Sequence, residues 1–147
     1  MASTLTNATL TVRVTEEITL NGSKKGTTSK HEISAINEVS ERIVTALTTG
    51  TDLIALGAAV GAGTFIRDNI KYIRVTNLDD TNFVRLALIT DGTDAHVKLP
   101  PRDSFILSTG LAGAEEDSSA VSFDNITSIK AWANTASVDL DIFVASV

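Results

Sequence analysis

Apolar side chains recur at every second position through most of this chain, and polar turns interrupt them at close intervals. The pattern is clearest in "IKYIRVTNLDDTNFVRLALITDGTDAHVKLPPRDSFIL", residues 70–107. Ile73 and Val75 share one side of a strand, "NLDDTN" makes a turn, and Val84, Leu86 and Leu88 line the next strand. "TDGTD" then leads into "AHVKL", and "PPRD" leads into "SFILS". A period of two is the mark of half-buried strands, and connections this short suggest a simple antiparallel meander of four strands. Pro100 and Pro101 lack the amide hydrogen a ladder needs, so they belong in a turn or at an edge.

The same period opens the chain. Leu10, Val12 and Val14 alternate with Thr9, Thr11, Arg13 and Thr15, before Asn21-Gly22 and Gly26 give a hairpin-type turn signal. Residues 31–47 read two ways. Ile33, Ile36, Val39, Ile43 and Leu47 form a stripe at helical spacing, yet the segment also parses as strands 31–36 and 39–46 joined at Asn37-Glu38. Its β-branched residues and strand-like neighbours favour strands. A short strand follows at 52–56, then a loop of small residues at 57–64. After an acidic loop at 113–119, strands are expected near Phe123, at 129–132, and at the end of the chain, where Val138, Leu140, Ile142 and Val144 alternate with polar positions.

About ten short strands without a long helix predict an all-β fold, an antiparallel β-sandwich. At this size a jelly roll is the natural topology. The 147 residues suit one domain, 1–147, with a short N-terminal arm at about 1–8 and one sizeable core. Aromatic residues make up only 5% of the chain, so that core must come mainly from Val, Ile, Leu and Ala.

Charge changes the picture of partners. A net charge of −6 without a block of Lys or Arg argues against nucleic acid, because an acidic surface repels phosphates. There is no cysteine, which removes disulfides and thiolate chemistry. No segment has the apolar length of a membrane span, and the N-terminus lacks the basic and apolar regions of a secretory signal. The expectation is a soluble protein made in the cytoplasm.

Reactive groups are sparse. His31 and His96 stand alone in strand-like contexts, which points to structural roles. Carboxylates cluster at Asp79-Asp80, Asp91 with Asp94, Glu115 to Asp117, and Asp139 with Asp141, but none has the spacing of a calcium-binding EF-hand loop. Aspartate in "LDD" and "TDG" is expected to cap backbone amides in turns. "VGAGTF" lacks the Lys-Ser/Thr of a phosphate-binding loop. The reading is therefore not an enzyme, with no metal and no cofactor. Strands without a reactive cluster most often present surfaces.

The run "AAVGAGTFIRDNIKYIRVTNLDDTNFVRLAL", residues 58–88, resembles small virion structural proteins of tailed phages, particularly marine ones. The "SFIL" strand and the last strand, "VDLDIFVAS", carry the resemblance further, over about half the chain. It implies a capsid decoration (cement) protein on the outer surface of the head: a homotrimer that binds the major capsid protein and clamps neighbouring capsomers. A tail, neck or fibre-associated β-domain fits the same resemblance, and a carbohydrate-binding sandwich is the alternative from another class. Candidate contact elements are the arm at 2–8, the small-residue loop at 57–64 and the acidic loop at 113–119. Leu5, Gly57, Val60, Gly61, Gly63, Phe65 and Trp132 are the candidate interface residues.

Overall fold

The structure is a computed structural model that describes residues 5–59, 61, 63–108, 113–114 and 124–147. Its strands, in chain order, are β1 (Ala8–Thr15), β2 (Ile18–Leu20), β3 (Ser23–Lys25), β4 (Thr28–Ile36), β5 (Glu38–Ala46), β6 (Thr51–Gly57), β7 (Thr64–Ile66), β8 (Ile70–Asn77), β9 (Val84–Thr90), β10 (Asp94–Leu99), β11 (Ser104–Ser108), β12 (Gly113–Ala114), β13 (Asp124–Ala133) and β14 (Val138–Ser146). No α-helix is present among the described residues, and residues 31–47 are strands with a break at Asn37.

Two sheets pack face to face as a β-sandwich. The first has the order β11-β8-β14-β5 and the second β10-β9-β13-β6-β7, with β12 added on β13. All pairings in the first sheet are antiparallel, whereas β6 and β7 run parallel at one edge of the second. Alternation sends Ile73, Val75, Leu140, Ile142 and Val144 inward from the first sheet. Leu53, Val84, Leu86, Ile129 and Ala131 meet them from the second, all essentially without solvent contact. The core is aliphatic, as the scarcity of aromatic residues requires.

The expected four-strand meander does not form. β8 pairs with β11 and β14, while β9 pairs with β10 and β13, so of these four expected strands β9 and β10 alone make a hairpin. The segments 78–83 and 100–103 instead carry the chain from one sheet to the other. Buried Asn77 ties both crossings: its Nδ2 donates to the carbonyl of Asn82 at 2.9 Å and to that of Leu99 at 3.3 Å. Its Oδ1 accepts the amide of Asp79 at 2.9 Å. Alternation told which face each residue takes, but it carries no information about which strand lies alongside.

A third layer comes from residues 8–36. β1 pairs with β4 and β2 with β3, in one hairpin whose base lies on the outer face of the first sheet. The arm expected at 1–8 is thus followed by a much larger one.

Candidate functional site

The hairpin is a single ladder. Leu10 faces Ile33, Thr15 faces Thr28, Ile18 faces Lys25 and Leu20 faces Ser23, so paired residue numbers keep one constant sum from Leu10 to the tip. Asn21 (φ 50°) and Gly22 (φ 78°) turn the tip with positive φ at both central positions, as a tight two-residue hairpin requires. Gly26 (φ 118°) lies so close to Glu16 that a Cβ there would fall 2.0 Å from the Glu16 carbonyl oxygen. Glycine is needed at that position to keep the two strands in contact.

At the base, Ile33 and Ile36 are both buried although three residues apart, a spacing that would place them on opposite faces of a regular strand. A bulge resolves this. Ala35 takes a left-handed conformation (φ 63°), and the register shifts between Ala8 and Leu10. Ile33, Ile36, Leu10 and Val12 then pack on Tyr72, Phe143, Ala145 and Val147. Tyr72 and Phe143 meet edge to face at 5.9 Å. Burial by this packing pushes the Tyr72 phenol up from its ordinary value, against a smaller opposing pull from Arg74.

Where the hairpin leaves the sheet, an open cleft of about 340 Å³ forms between them, lined in part by Val12, Glu41, Tyr72, Arg74 and Phe143. The Arg74 guanidinium is held by Asp141 at 2.7 Å and Glu41 at 3.5 Å, and lies 5.8 Å from the Phe143 ring centre. This network fixes the sheet face beside the arm.

Beyond the cleft every residue from 13 to 32 is exposed. By the period of two, Leu10, Val12, Val14, Ile18 and Leu20 belong to one face of the hairpin, so an apolar stripe runs along it, broken once by Glu16. The inner part is covered by the protein's own sheet. The outer part is not: Ile18 is 57% and Leu20 60% exposed.

The residues singled out in the sequence do not come together. Leu5 is exposed ahead of β1. Gly57, Gly61, Gly63 and Phe65 gather at the β6–β7 connection, where Gly57 pairs with Ile66 and Gly61 bridges Thr64. Phe65 is half-buried against the core and does not stand free as a contact residue. Val60 lies outside the described residues, as do most of the acidic loop and Phe123. Trp132 sits near the opposite end of β6, over Gly50, with the Arg85 guanidinium 4.4 Å from its ring and Lys130 at 5.3 Å. His96 is 6.3 Å from the same ring. His31 lies exposed on the arm.

The turn aspartates act locally. Asp79 Oδ1 accepts the amides of Thr81 and Asn82 at 2.7 and 2.6 Å, and these bonds hold its carboxyl below the usual range. In the "TDGTD" turn the side-chain caps come from Thr90 and Asp94, not Asp91. Among the described residues, no three His, Cys, Asp or Glu side chains converge on a metal position.

Sequence reasoning missed Ile18, Leu20, Val39 and Ile43. The signal for the first two was available: the alternation beginning at Leu10 resumes at Ile18 and Leu20 just before Asn21-Gly22. Comparison with protein families, curated proteins and solved structures finds no match.

Proposed function

We propose that this chain is a structural protein of a tailed-phage virion, a decoration protein that binds the outer surface of the assembled head and bridges its capsomers. The observation that carries the reading is the hairpin arm. A two-stranded ribbon is at best marginally stable alone in water, and this one stands clear of the body with apolar side chains along its outer half. Such an element is explained by assembly, since the missing cover must come from another molecule.

The sandwich winding supports the same reading. Counting β5, β6, β8, β9, β10, β11, β13 and β14 as strands 1 to 8, the two sheets run 1-8-3-6 and 2-7-4-5. We infer from this order an eight-stranded jelly roll, two interleaved Greek keys. The resemblance over 58–88 falls on its β7 to β9 region. A glycan-stacking reading of Trp132 is weaker, because Arg85 and Lys130 already lie against its ring.

A protein that binds only the assembled lattice stabilises it by mass action. The test is co-sedimentation with expanded phage heads stripped of their decoration protein. Saturable binding that raises the temperature of head disruption is the expected result. Absence of binding, or equal binding to unassembled capsid protein, would overturn the role.

A further inference from the structure

We propose that the outer half of the arm docks on a second copy of this chain, across the exposed part of the outer face of its first sheet, in contact with Val39 and Ile43 of β5. This rests on the assembly reading above and names its contact.

The argument starts from what the inner half already does. Leu10 and Val12 belong to the same stripe as Ile18 and Leu20, and they pack on the outer face of the first sheet at Tyr72 and Phe143. The stripe is therefore built to lie on this kind of surface. That surface is not used up: Val39 is 57% and Ile43 66% exposed on the same face, flanking Glu41. A second copy offers what the first copy's tip lacks.

Reach and charge agree. From Val14 to Leu20 the uncovered hairpin extends about 20 Å at strand rise, whereas four strands span roughly 15 Å of sheet width. The overhang is long enough to cross a neighbour's sheet. On the arm, Lys25 stands opposite Ile18, so the docking face reads apolar and basic, with Glu16 further in. On β5 the face reads Val39, Glu41, Ile43, apolar around an acid; Asp139 and Asp141 lie on β14 alongside, and Arg74, paired with Glu41 and Asp141, offsets one of these three acids and leaves the face net acidic. Seating Lys25 near Glu41 sets the register of the contact.

Docking uses the face of β5 and not its open edge. Arg42 lies on the inward side of this edge strand, exposed at the flank of the sandwich, and donates to the Leu53 carbonyl of the opposite sheet. Inward-pointing charge on an edge strand discourages the addition of a further strand.

The chain has no cysteine, which gives a clean background for cross-linking. Leu20→Cys protein mixed with Ile43→Cys protein, oxidised at micromolar concentration, is expected to give a disulfide-linked pair containing one chain of each. The control pairs Leu20→Cys with Ile106→Cys, a site on the far strand of the same sheet, and is expected to link at least about tenfold less. Lys25→Glu should weaken the wild-type association by about tenfold, and adding Glu41→Lys should restore it. No mixed disulfide, or equal linking at Ile106, would overturn the proposal, as would a Lys25→Glu defect that Glu41→Lys leaves unchanged. Protein that binds stripped heads yet gives no Leu20–Ile43 link would keep the virion role and overturn this contact. A link formed by protein that ignores heads would do the reverse.

Discussion

Ile18 stands opposite Lys25 in the same ladder that sets Leu10 opposite Ile33, yet only the second pair is covered by the protein's own sheet. A stripe used for half its length separates folding from assembly. Ile18→Thr is therefore expected to change the stability of the unassembled protein by less than about 0.5 kcal/mol. Leu10→Ala, at the covered end, should cost about 1–3 kcal/mol because it uncovers Tyr72 and Phe143. Urea unfolding of the two variants at low protein concentration checks the contrast.

Tyr72 reports whether the arm base is seated. It is the one tyrosine in the chain, so the rise in phenolate absorbance titrates it alone. Its folded value lies above the ordinary 10.0 because burial disfavours the phenolate. A raised value contributes stability that is fully present below pH 10 and is lost as pH rises through the folded value. The titration midpoint should lie above 10 in the native protein and fall towards 10 in Leu10→Ala. Tyr72→Phe should remove that part of the alkaline loss of stability. A native midpoint at or below 10 would mean the ring is not covered.

Gly50 and Trp132 make a second local test. Gly50 has φ 101°, and a Cβ there would lie 2.5 Å from the indole Nε1. Gly50→Ala should destabilise by more than about 1 kcal/mol, from backbone strain and displacement of the ring together. Trp132 is the single tryptophan, so its emission maximum should shift in the same variant.

Asn77 joins the two crossings between sheets through three side-chain hydrogen bonds. Asn77→Ala leaves two buried-side carbonyls and an amide without that partner, at a cost of about 2–4 kcal/mol. The urea midpoint should fall with the slope unchanged. Asn77→Asp should be no better, because a carboxylate cannot donate to the carbonyls of Asn82 and Leu99.

The class of the fold was legible because one strand rule explains most of the chain. Val138 to Val144 and Ile73 to Leu88 alternate as the sandwich faces demand. The partners of each strand were not legible. "NLDDTN" and "PPRD" look like hairpin turns, and only the strand pairing, with Asn77 reaching to Asn82 and Leu99, shows that they cross between sheets. The helical stripe at 31–47 arose from Ile33 and Ile36, whose shared burial needs the left-handed Ala35, a conformation no spacing rule anticipates. The small-residue loop drew attention through its glycines, although Phe65 beside it belongs to the core. The apolar tip was hidden differently: each of its residues looks like an ordinary strand residue until the structure shows Ile18 and Leu20 exposed.

The absolute mass of the full chain by sedimentation equilibrium, from sub-micromolar to high micromolar concentration, tests the central claim most directly when run beside Gly26→Ala. A Cβ at Gly26 cannot fit against Glu16, so this change disrupts the arm midway and leaves the sandwich residues untouched. The account predicts a defined multiple of the chain mass for the native protein, and a monomer for Gly26→Ala at concentrations where the native protein is fully associated. A native protein that stays monomeric throughout, or a Gly26→Ala variant that assembles equally well, would contradict the claim that the arm is the device of assembly.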